Sequence, residues 1–445
     1  MKADYYFFMA LLVLLSACKP NIEGSAPSKG NADFTRYVAI GNSLTAGYAD
    51  GSLYRSGQLN SFPSMLAEKF KLVGGGDFKQ PLLPGDAGWP SLKRVLGYST
   101  SCDGTTSLSP QLYSSALDTA GSSVNIYATE GPFNNLGVPG VRCIDYTIPG
   151  YAFIAQQVGG VGYAARMYPN PSVDRPIEVA VNANATFFTI WLGSNDVLGY
   201  ATDGGEGNGS GGSSPSDISP LTAFETSYNA IVKAMIANGA KGVLINIPDV
   251  TSIPYFTTIP VNGLVLTRQG QADSLTTIYA ALGIKFAVGE NHFIIQDPAA
   301  PGGLRQIKNG EYILITTPQD SLKCAGWGSV KPIPKAYVLD AAEVANIETA
   351  TTAFNNIIKN AAAENGLALM DANAYLKTLQ SGITFNGLSF STAFVTGGAF
   401  SLDGIHLTPR GYALVANEII RVINNFYKAN IPLVDVTQYR GVLFP

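Results

Sequence analysis

Short apolar runs alternate with longer amphipathic segments along most of the chain. Residues 37–40, 186–192, 242–247 and 367–370 are apolar runs of strand length, and each ends at a glycine, a proline or a polar residue. Strands that are buried on both faces read as such continuous runs. The alternation therefore predicts an α/β fold, in which helices cover both faces of a parallel sheet and an active site lies beyond the carboxyl ends of the strands.

Three amphipathic helices are predicted from apolar residues at helical spacing and from polar or proline residues at their starts. The starts are marked by Ser219 with Pro220, by Asp340 with Glu343, which resembles a capping box, and by Thr408 with Pro409. Gly239 and Gly366 mark the ends of the first two helices. The predicted apolar faces are Leu221, Phe224, Tyr228, Ile231, Val232 and Met235; Val344, Ile347, Phe354 and Ile358; and Tyr412, Val415, Ile419 and Phe426.

The first residues have the pattern of an export signal. Lys2 precedes an apolar run over residues 5–15, which is shorter than the roughly 20 residues that cross a bilayer as a helix. The small residues before Cys18 resemble a bacterial lipobox, in which the cysteine is acylated. We expect residues 1–17 to be a lipoprotein signal peptide and Cys18 to carry lipid such as palmitate, so that the exported protein is anchored in the bacterial outer membrane. The alternative is an ordinary cleaved signal with a chance cysteine.

The amino-acid composition limits the kinds of molecule that the protein is expected to bind. The chain is 46% hydrophobic and 13% charged, with a net charge of -4, which is typical of a globular protein. It has no long block of Lys or Arg, so a nucleic-acid partner is not expected. The two histidines and the cysteines lack zinc-ligand spacing, and we expect no metal. Of the cysteines after Cys18, we expect Cys102 and Cys143 to form a disulfide, because an exported compartment permits one, and Cys324 to remain free.

A serine and a histidine are the candidate reactive residues. Ser43 follows the first apolar run directly, where a tight turn would present its hydroxyl at the edge of the sheet, although a serine after a strand is more often a helix N-cap. A serine hydroxyl needs a base, and the chain has only His292 and His406. His292 has no obvious orienting partner. Asp403 lies three residues before His406, so it could bind the imidazole Nδ1 and leave Nε2 to accept from Ser43.

Acyl transfer also requires donors for the oxyanion. Asn195 follows the second apolar run and could supply its side-chain amide, and Gly140 could supply a backbone N–H that no side chain obstructs. The N–H of Ser43 would be a third donor. Each residue alone is also compatible with an ordinary turn.

Together, four fragments resemble the SGNH (GDSL) hydrolase family. They are, in chain order, Gly-Asn-Ser-Leu at Ser43, Asn-x-Gly-x-x-Gly ending at Gly140, Gly-x-Asn-Asp at Asn195 and Asp-x-x-His at His406. The resemblance implies a three-layer α/β/α fold of flavodoxin-like type. It also implies a serine ester hydrolase that needs no cofactor, with Ser43 as nucleophile, His406 as base, Asp403 as its orienting residue, and Gly140, Asn195 and the Ser43 N–H as oxyanion hole. Asn42 stands where the family usually has Asp.

The resemblance also divides the chain. We expect a tether at residues 18–33, a hydrolase domain at 34–430 with insertions at about 72–130, 201–218 and 253–335, and a tail at 431–445. The first and last insertions would form walls or lids of the substrate cleft, and residues 202–217 would be a flexible surface loop. The apolar stretch at 252–266 is compatible with a mouth for acyl chains and equally with ordinary packing. The expected substrate is a small-molecule, glycan or lipid ester. Alternatives are a carbohydrate O-acetylesterase and a non-catalytic surface-binding lipoprotein on a hydrolase scaffold.

Overall fold

A computed structural model describes residues 26–113, 121–157 and 162–444. At its centre is a parallel sheet of five strands. We name them β1 to β5 in chain order: Tyr37–Gly41, Asn135–Gly137, Phe187–Trp191, Lys241–Ile245 and Ala368–Met370. Their spatial order is 2-1-3-4-5, which is the order of flavodoxin-like sheets. The structure thus confirms the predicted α/β class and parallel sheet.

The order in which the chain adds strands to the sheet reverses at β1, because β2 lies on one side of it and β3 to β5 lie on the other. β1 pairs with β2 on one side, with Ala39 opposite Asn135, and with β3 on the other, with Tyr37 opposite Phe187. In such sheets, ligands bind beyond the carboxyl ends of the strands at this switch point. The loops that follow β1, β2 and β3 therefore converge there.

Six helices matter for the site and its support. We name them α1 to α6 in chain order: Ser43–Ala46, Phe62–Lys71, Asn195–Thr202, Leu221–Ile236, Ala341–Glu364 and Pro409–Tyr427. Further helices are Arg55–Leu59, Tyr127–Glu130, Tyr151–Gln157, Pro176–Asn182, Pro254–Thr257, Gln269–Ile278, Gln319–Lys323 and Ala372–Gln380. None of the helices in the described part of the chain combines the length and apolar character needed to cross a membrane.

Helices cover the sheet in two layers. On one face α2 packs against α6, and Phe70 and Tyr427 contact Phe187 of β3 through their rings. On the other face α5 packs against α3 and α4, where Phe224 and Phe354 stack with ring centroids 4.0 Å apart. Burial of these aromatic side chains on both sides of the sheet holds the three layers together.

The predicted helix starts match the structure closely. The capping box of Asp340 and Glu343 is present at the start of α5, and Thr408 accepts from the N–H of Gly411 at the start of α6. α4 begins one residue later than predicted, with Pro220 as its N-cap.

Two residues of the predicted apolar faces are exposed. Leu221 is 47% and Phe426 48% exposed. Leu221 is the first residue of α4, ahead of the turns that pack on the sheet. In the last turn of α6 the buried face continues through Ile423 to Tyr427, which leaves Phe426 at its edge.

The first and last predicted insertions carry their own secondary structure. In the first, strands Arg94–Thr100 and Thr106–Leu112 pair as an antiparallel hairpin. The last contains short strands at Leu264–Leu266, Gly289–Asn291, Ile294–Gln296, Leu304–Gln306 and Tyr312–Ile313. We call residues 94–112 the hairpin and residues 253–335 the second insertion. The second insertion contributes most of two small apolar clusters outside the main core: Leu266, Ala272, Leu275, Tyr279, Phe286 and Ile294; and Phe293, Ile295, Ile307, Ile313, Ile333 and Val338.

A disulfide joins these two regions. Cys102, at the turn of the hairpin, is bonded to Cys324 of the second insertion, and Cys143 is a buried free thiol. The prediction of a Cys102–Cys143 bond was therefore wrong. Cys143 is buried and its N–H donates to Asp196, whereas Cys102 lies on an exposed turn. The separation of 222 residues between the bonded cysteines gave the sequence no local signal for the pairing.

Parts of the predicted linkers belong to the folded body. Ser28 pairs with Asn430, and Ala32 is buried, so the last residues of the predicted tether contact the end of α6. In the predicted tail, Val434 is buried and exchanges hydrogen bonds with Asn417. The loop at 202–217 is held by Asp217, whose carboxylate accepts from two backbone N–H groups. The predicted signal peptide and Cys18 lie outside the described residues.

Candidate active site

Ser43 lies at the turn between β1 and the four-residue helix α1. It is 8% exposed. A side chain on Gly41 would clash, since its Cβ would lie 2.0 Å from Thr45 Oγ1 and 2.7 Å from the Trp191 carbonyl oxygen. Asn42 is the N-cap of α1, and its side chain accepts from the N–H of Leu44 at 3.0 Å. Asn and Asp cap helices about equally well, so Asn42 performs the local capping that an Asp would.

His406 joins Ser43 to Asp403. The distance from His406 Nε2 to Ser43 Oγ is 2.8 Å, and the distance from Nδ1 to Asp403 Oδ2 is also 2.8 Å. The hydroxyl and the imidazole come from opposite ends of the domain, 363 residues apart. The predicted Ser43, His406 and Asp403 therefore meet at the carboxyl edge of β1.

The carboxylate of Asp403 is fixed by its surroundings. Oδ1 accepts the N–H groups of Ile405 and His406 at 2.9 and 2.8 Å, and Oδ2 accepts the N–H of Gly51 at 2.9 Å. Burial opposes ionisation of this carboxyl, but the neighbouring His406 and these hydrogen bonds outweigh it and hold the pKa of Asp403 well below its usual range. An ionised Asp403 requires the proton of a neutral His406 to sit on Nδ1, which leaves Nε2 free to accept from Ser43.

Tyr48 packs against the imidazole and was missed in the sequence. Its ring centroid lies 4.5 Å from that of His406. Its hydroxyl donates to the carbonyl of Gly51 at 2.7 Å. Burial, together with the negative charge of Asp403, raises the pKa of Tyr48 to about 12, so the phenol stays neutral. Tyr48 follows the serine motif by five residues, and that proximity is the only signal of its position.

Two loops bring the predicted oxyanion donors to either side of β1. Gly140 follows β2 with a φ of 83°, and the space where a Cβ would lie is open. Asn195 is the first residue of α3, after β3, and its Nδ2 donates to the carbonyl of Val141 at 2.9 Å. That bond ties the amide to the Gly140 loop and leaves its second hydrogen available. In the described part of the chain, the N–H groups of Ser43 and Gly140 donate to no protein acceptor.

Buried acidic and basic side chains hold the Gly140 loop in place. Asp196 Oδ2 accepts the N–H of Cys143 at 2.7 Å. Burial raises the pKa of Asp196 to about 7, against the opposing effect of that hydrogen bond. Arg142 and Asp145 form a nearly buried ion pair at 2.9 Å. These side chains position the loop, and only their place next to Gly140 and Asn195 in the sequence points to that role.

A cleft of about 1830 Å³ opens on the histidine side of the site. Its walls include Asp403 and His406, both strands of the hairpin and parts of the second insertion between residues 258 and 330. Tyr255, Ile259 and Leu264 of the predicted apolar mouth line it, whereas Phe256 is buried in the main core. His292 lies in the second insertion, where Nδ1 is 2.5 Å from the carbonyl of Ile307, and it takes no part in the site.

Comparison with models of protein families identifies a family for this chain. The family model described as GDSL-like Lipase/Acylhydrolase matches residues 37–419. That span runs from β1 into α6 and includes all five strands of the sheet. Among curated proteins, no relative matches the chain.

Proposed function

Because this chain belongs to the GDSL-like lipase/acylhydrolase family, we propose that it is a carboxylic ester hydrolase with Ser43 as its nucleophile. His406 is the general base, and Asp403 orients the imidazole. The observation that carries the proposal is the continuous contact from Ser43 Oγ to His406 and from His406 to Asp403, with both distances 2.8 Å. Such a chain is what converts a serine hydroxyl into a nucleophile at neutral pH.

The reaction proceeds in two acyl transfers. His406 takes the proton of Ser43 as Oγ attacks the ester carbonyl, and the N–H groups of Ser43 and Gly140 with the amide of Asn195 stabilise the oxyanion. His406 then donates the proton to the leaving alcohol, and an acyl-enzyme remains on Ser43. Water, deprotonated by His406, attacks the acyl-enzyme and releases the acid.

The composition of the cleft supports a second candidate within the same chemistry. Hydroxyl-bearing residues of the hairpin line the cleft: Ser99, Thr100, Ser107 and Ser109. Such a wall suits a carbohydrate O-acetylesterase, whereas the apolar side chains of the second insertion suit longer acyl chains. Turnover of acetyl, butyryl and octanoyl esters separates the two: a glycan deacetylase loses activity with chain length, and a lipase-type enzyme gains it.

We further propose that the protein is exported and anchored to the bacterial envelope by lipid on Cys18. The lipobox at residues 15–18 supports this, and so does the disulfide, because such bonds persist in oxidising compartments. Cys18→Ser would move the protein from the membrane fraction to the soluble fraction. Equal membrane retention of the variant would contradict the anchor.

The direct test of the hydrolase is turnover of 4-nitrophenyl butyrate by Ser43→Ala and His406→Ala variants. In a serine triad each loss costs on the order of 10⁶ in kcat. Circular dichroism checks that both variants fold. Undiminished turnover by folded Ser43→Ala would end the proposal, and an inactive wild type that also resists active-site labelling would favour the non-catalytic binding lipoprotein.

A further inference from the structure

Two of the arginines differ from all the others. The chain has 11 arginines, and nine of them donate side-chain hydrogen bonds: Arg36, Arg55, Arg142, Arg166, Arg175, Arg305, Arg410, Arg421 and Arg440. In the part of the chain that the structure describes, the guanidinium groups of Arg94 and Arg268 make neither a hydrogen bond nor an ion pair. Both line the cleft beside His406. The two guanidinium groups without a protein acceptor therefore face the same space.

Arg94 is the one placed next to the catalytic residues. It begins the hairpin, and its N–H donates to the carbonyl of Asp50 at 2.7 Å. Its Nη1 lies against Gly51, only 2.1 Å from where a Cβ on that residue would be. Gly51, whose φ is 78°, donates its own N–H to Asp403. A Cβ on residue 51 would exclude the guanidinium from this position, and the φ of 78° independently favours glycine. The guanidinium thus lies against the residue whose N–H binds the Asp403 carboxylate.

The acidic side chains behind Arg94 have partners other than Arg94. Asp50 and Asp86 border the small pocket on its other side. The carboxylate of Asp50 lies 3.8 Å from Arg440, and Asp86 accepts the N–H of Ser56 at 2.7 Å. Neither forms an ion pair with Arg94. Its positive charge is consequently available to a molecule in the cleft.

The charge of the cleft is opposite in sign to that of the whole protein. Cations along its wall are Arg94, Arg268 and Lys323, whereas the net charge of the chain is -4. The acidic groups that line it are Asp403, which is bound to His406, and Asp320, which accepts the N–H of Cys102 at 3.3 Å. A cleft with excess positive charge concentrates anions.

The position of Arg94 indicates which part of an ester it would meet. The cleft is lined by His406 and Asp403, while the oxyanion donors Gly140 and Asn195 lie outside its lining. In the proposed reaction the leaving alcohol departs on the histidine side, because His406 protonates it. We propose that Arg94 binds an anionic oxygen group, a carboxylate or a phosphate, in the alcohol part of the ester. This inference rests on the proposed hydrolase function.

The test compares three phenyl butyrates that differ only in the group opposite the ester: a neutral carboxamide, a carboxylate and a phosphate. Arg94→Gln should lower kcat/KM for the two anionic esters by about 10- to 100-fold, the effect of losing a hydrogen bond to a charged group. The neutral ester should be hydrolysed as before. Since each ester is compared with itself in two enzymes, its leaving-group reactivity cancels, and the ester with the larger loss identifies the preferred anion.

Two further variants test whether the positive charge of Arg94 is responsible for the preference. Arg94→Lys should retain part of the preference for anionic esters, and Arg421→Gln, which removes an exposed arginine that is paired with Glu418, should change none of the three rates. Equal loss on all three esters, or no loss on any, would overturn the anion site while leaving the hydrolase intact. If the wild type hydrolyses none of the three and also resists fluorophosphonate labelling, the hydrolase function itself fails, and the anion site fails with it.

Discussion

The sheet core and the second insertion are built on different principles. The core consists of five parallel strands between long helices, and loops at the switch point of the sheet carry Ser43, Gly140 and Asn195. The second insertion has strands of two or three residues, small apolar clusters and a covalent bond to the hairpin. The core thus fixes reactive groups through backbone geometry, whereas the second insertion surrounds them with a cleft. The comparison implies that chemistry and substrate choice can be altered separately.

Of the substitutions that test this separation of chemistry from substrate choice, Asp403→Asn should lower kcat the most. An asparagine in this position favours the wrong tautomer of His406, so we expect kcat to fall by about 10⁴-fold for every ester. Steady-state kinetics with a neutral ester measures the loss. Asp435→Asn, at the N-cap of the single helical turn Val436–Gln438, is the matched control and should leave kcat unchanged. A loss of kcat confined to one class of ester would contradict the claim that the core determines the chemistry and the cleft the choice of substrate.

Asn195→Ala tests the oxyanion hole and should have a smaller effect. Removing one donor costs roughly 10²–10³-fold in kcat, with little change in KM, because the donor acts mainly in the transition state. Asn208→Ala, in the surface loop at 202–217, is the matched amide control. Wild-type turnover by Asn195→Ala would remove this residue from the site.

Breaking the disulfide between the hairpin and the second insertion should loosen the hairpin and spare the core. Replacing Cys102 and Cys324 by Ser removes a cross-link of a kind worth about 2–4 kcal/mol. Hydrogen exchange should therefore quicken in residues 94–112, while the strands of the sheet keep their protection and a small neutral ester keeps its kcat. Cys102→Ser alone breaks the same bond and should match the double variant. Faster exchange in β1 and β3 would show that the two regions are one cooperative unit.

The same division explains what the sequence could predict. Strands β1, β3, β4 and β5 are continuous apolar runs, and the starts of α5 and α6 carry capping residues, so local physics alone locates them. The motifs at Ser43, Gly140, Asn195 and His406 could be assigned because together, and in this order, they resemble those of the SGNH (GDSL) hydrolases. The pairing of Cys102 with Cys324, the contact of Tyr48 with His406 and the reach of Arg94 over Gly51 depend on contacts between distant segments, for which a single sequence has no periodic signal.

The central claim is that Ser43 is a nucleophile activated by His406. A fluorophosphonate probe tests it most directly, because the probe bonds to an activated serine without requiring the natural substrate. We predict that the wild type is labelled, that mass spectrometry locates the adduct on Ser43, and that Ser43→Ala and His406→Ala are not labelled. A folded wild type that resists the probe, or an adduct on another serine, would contradict the account.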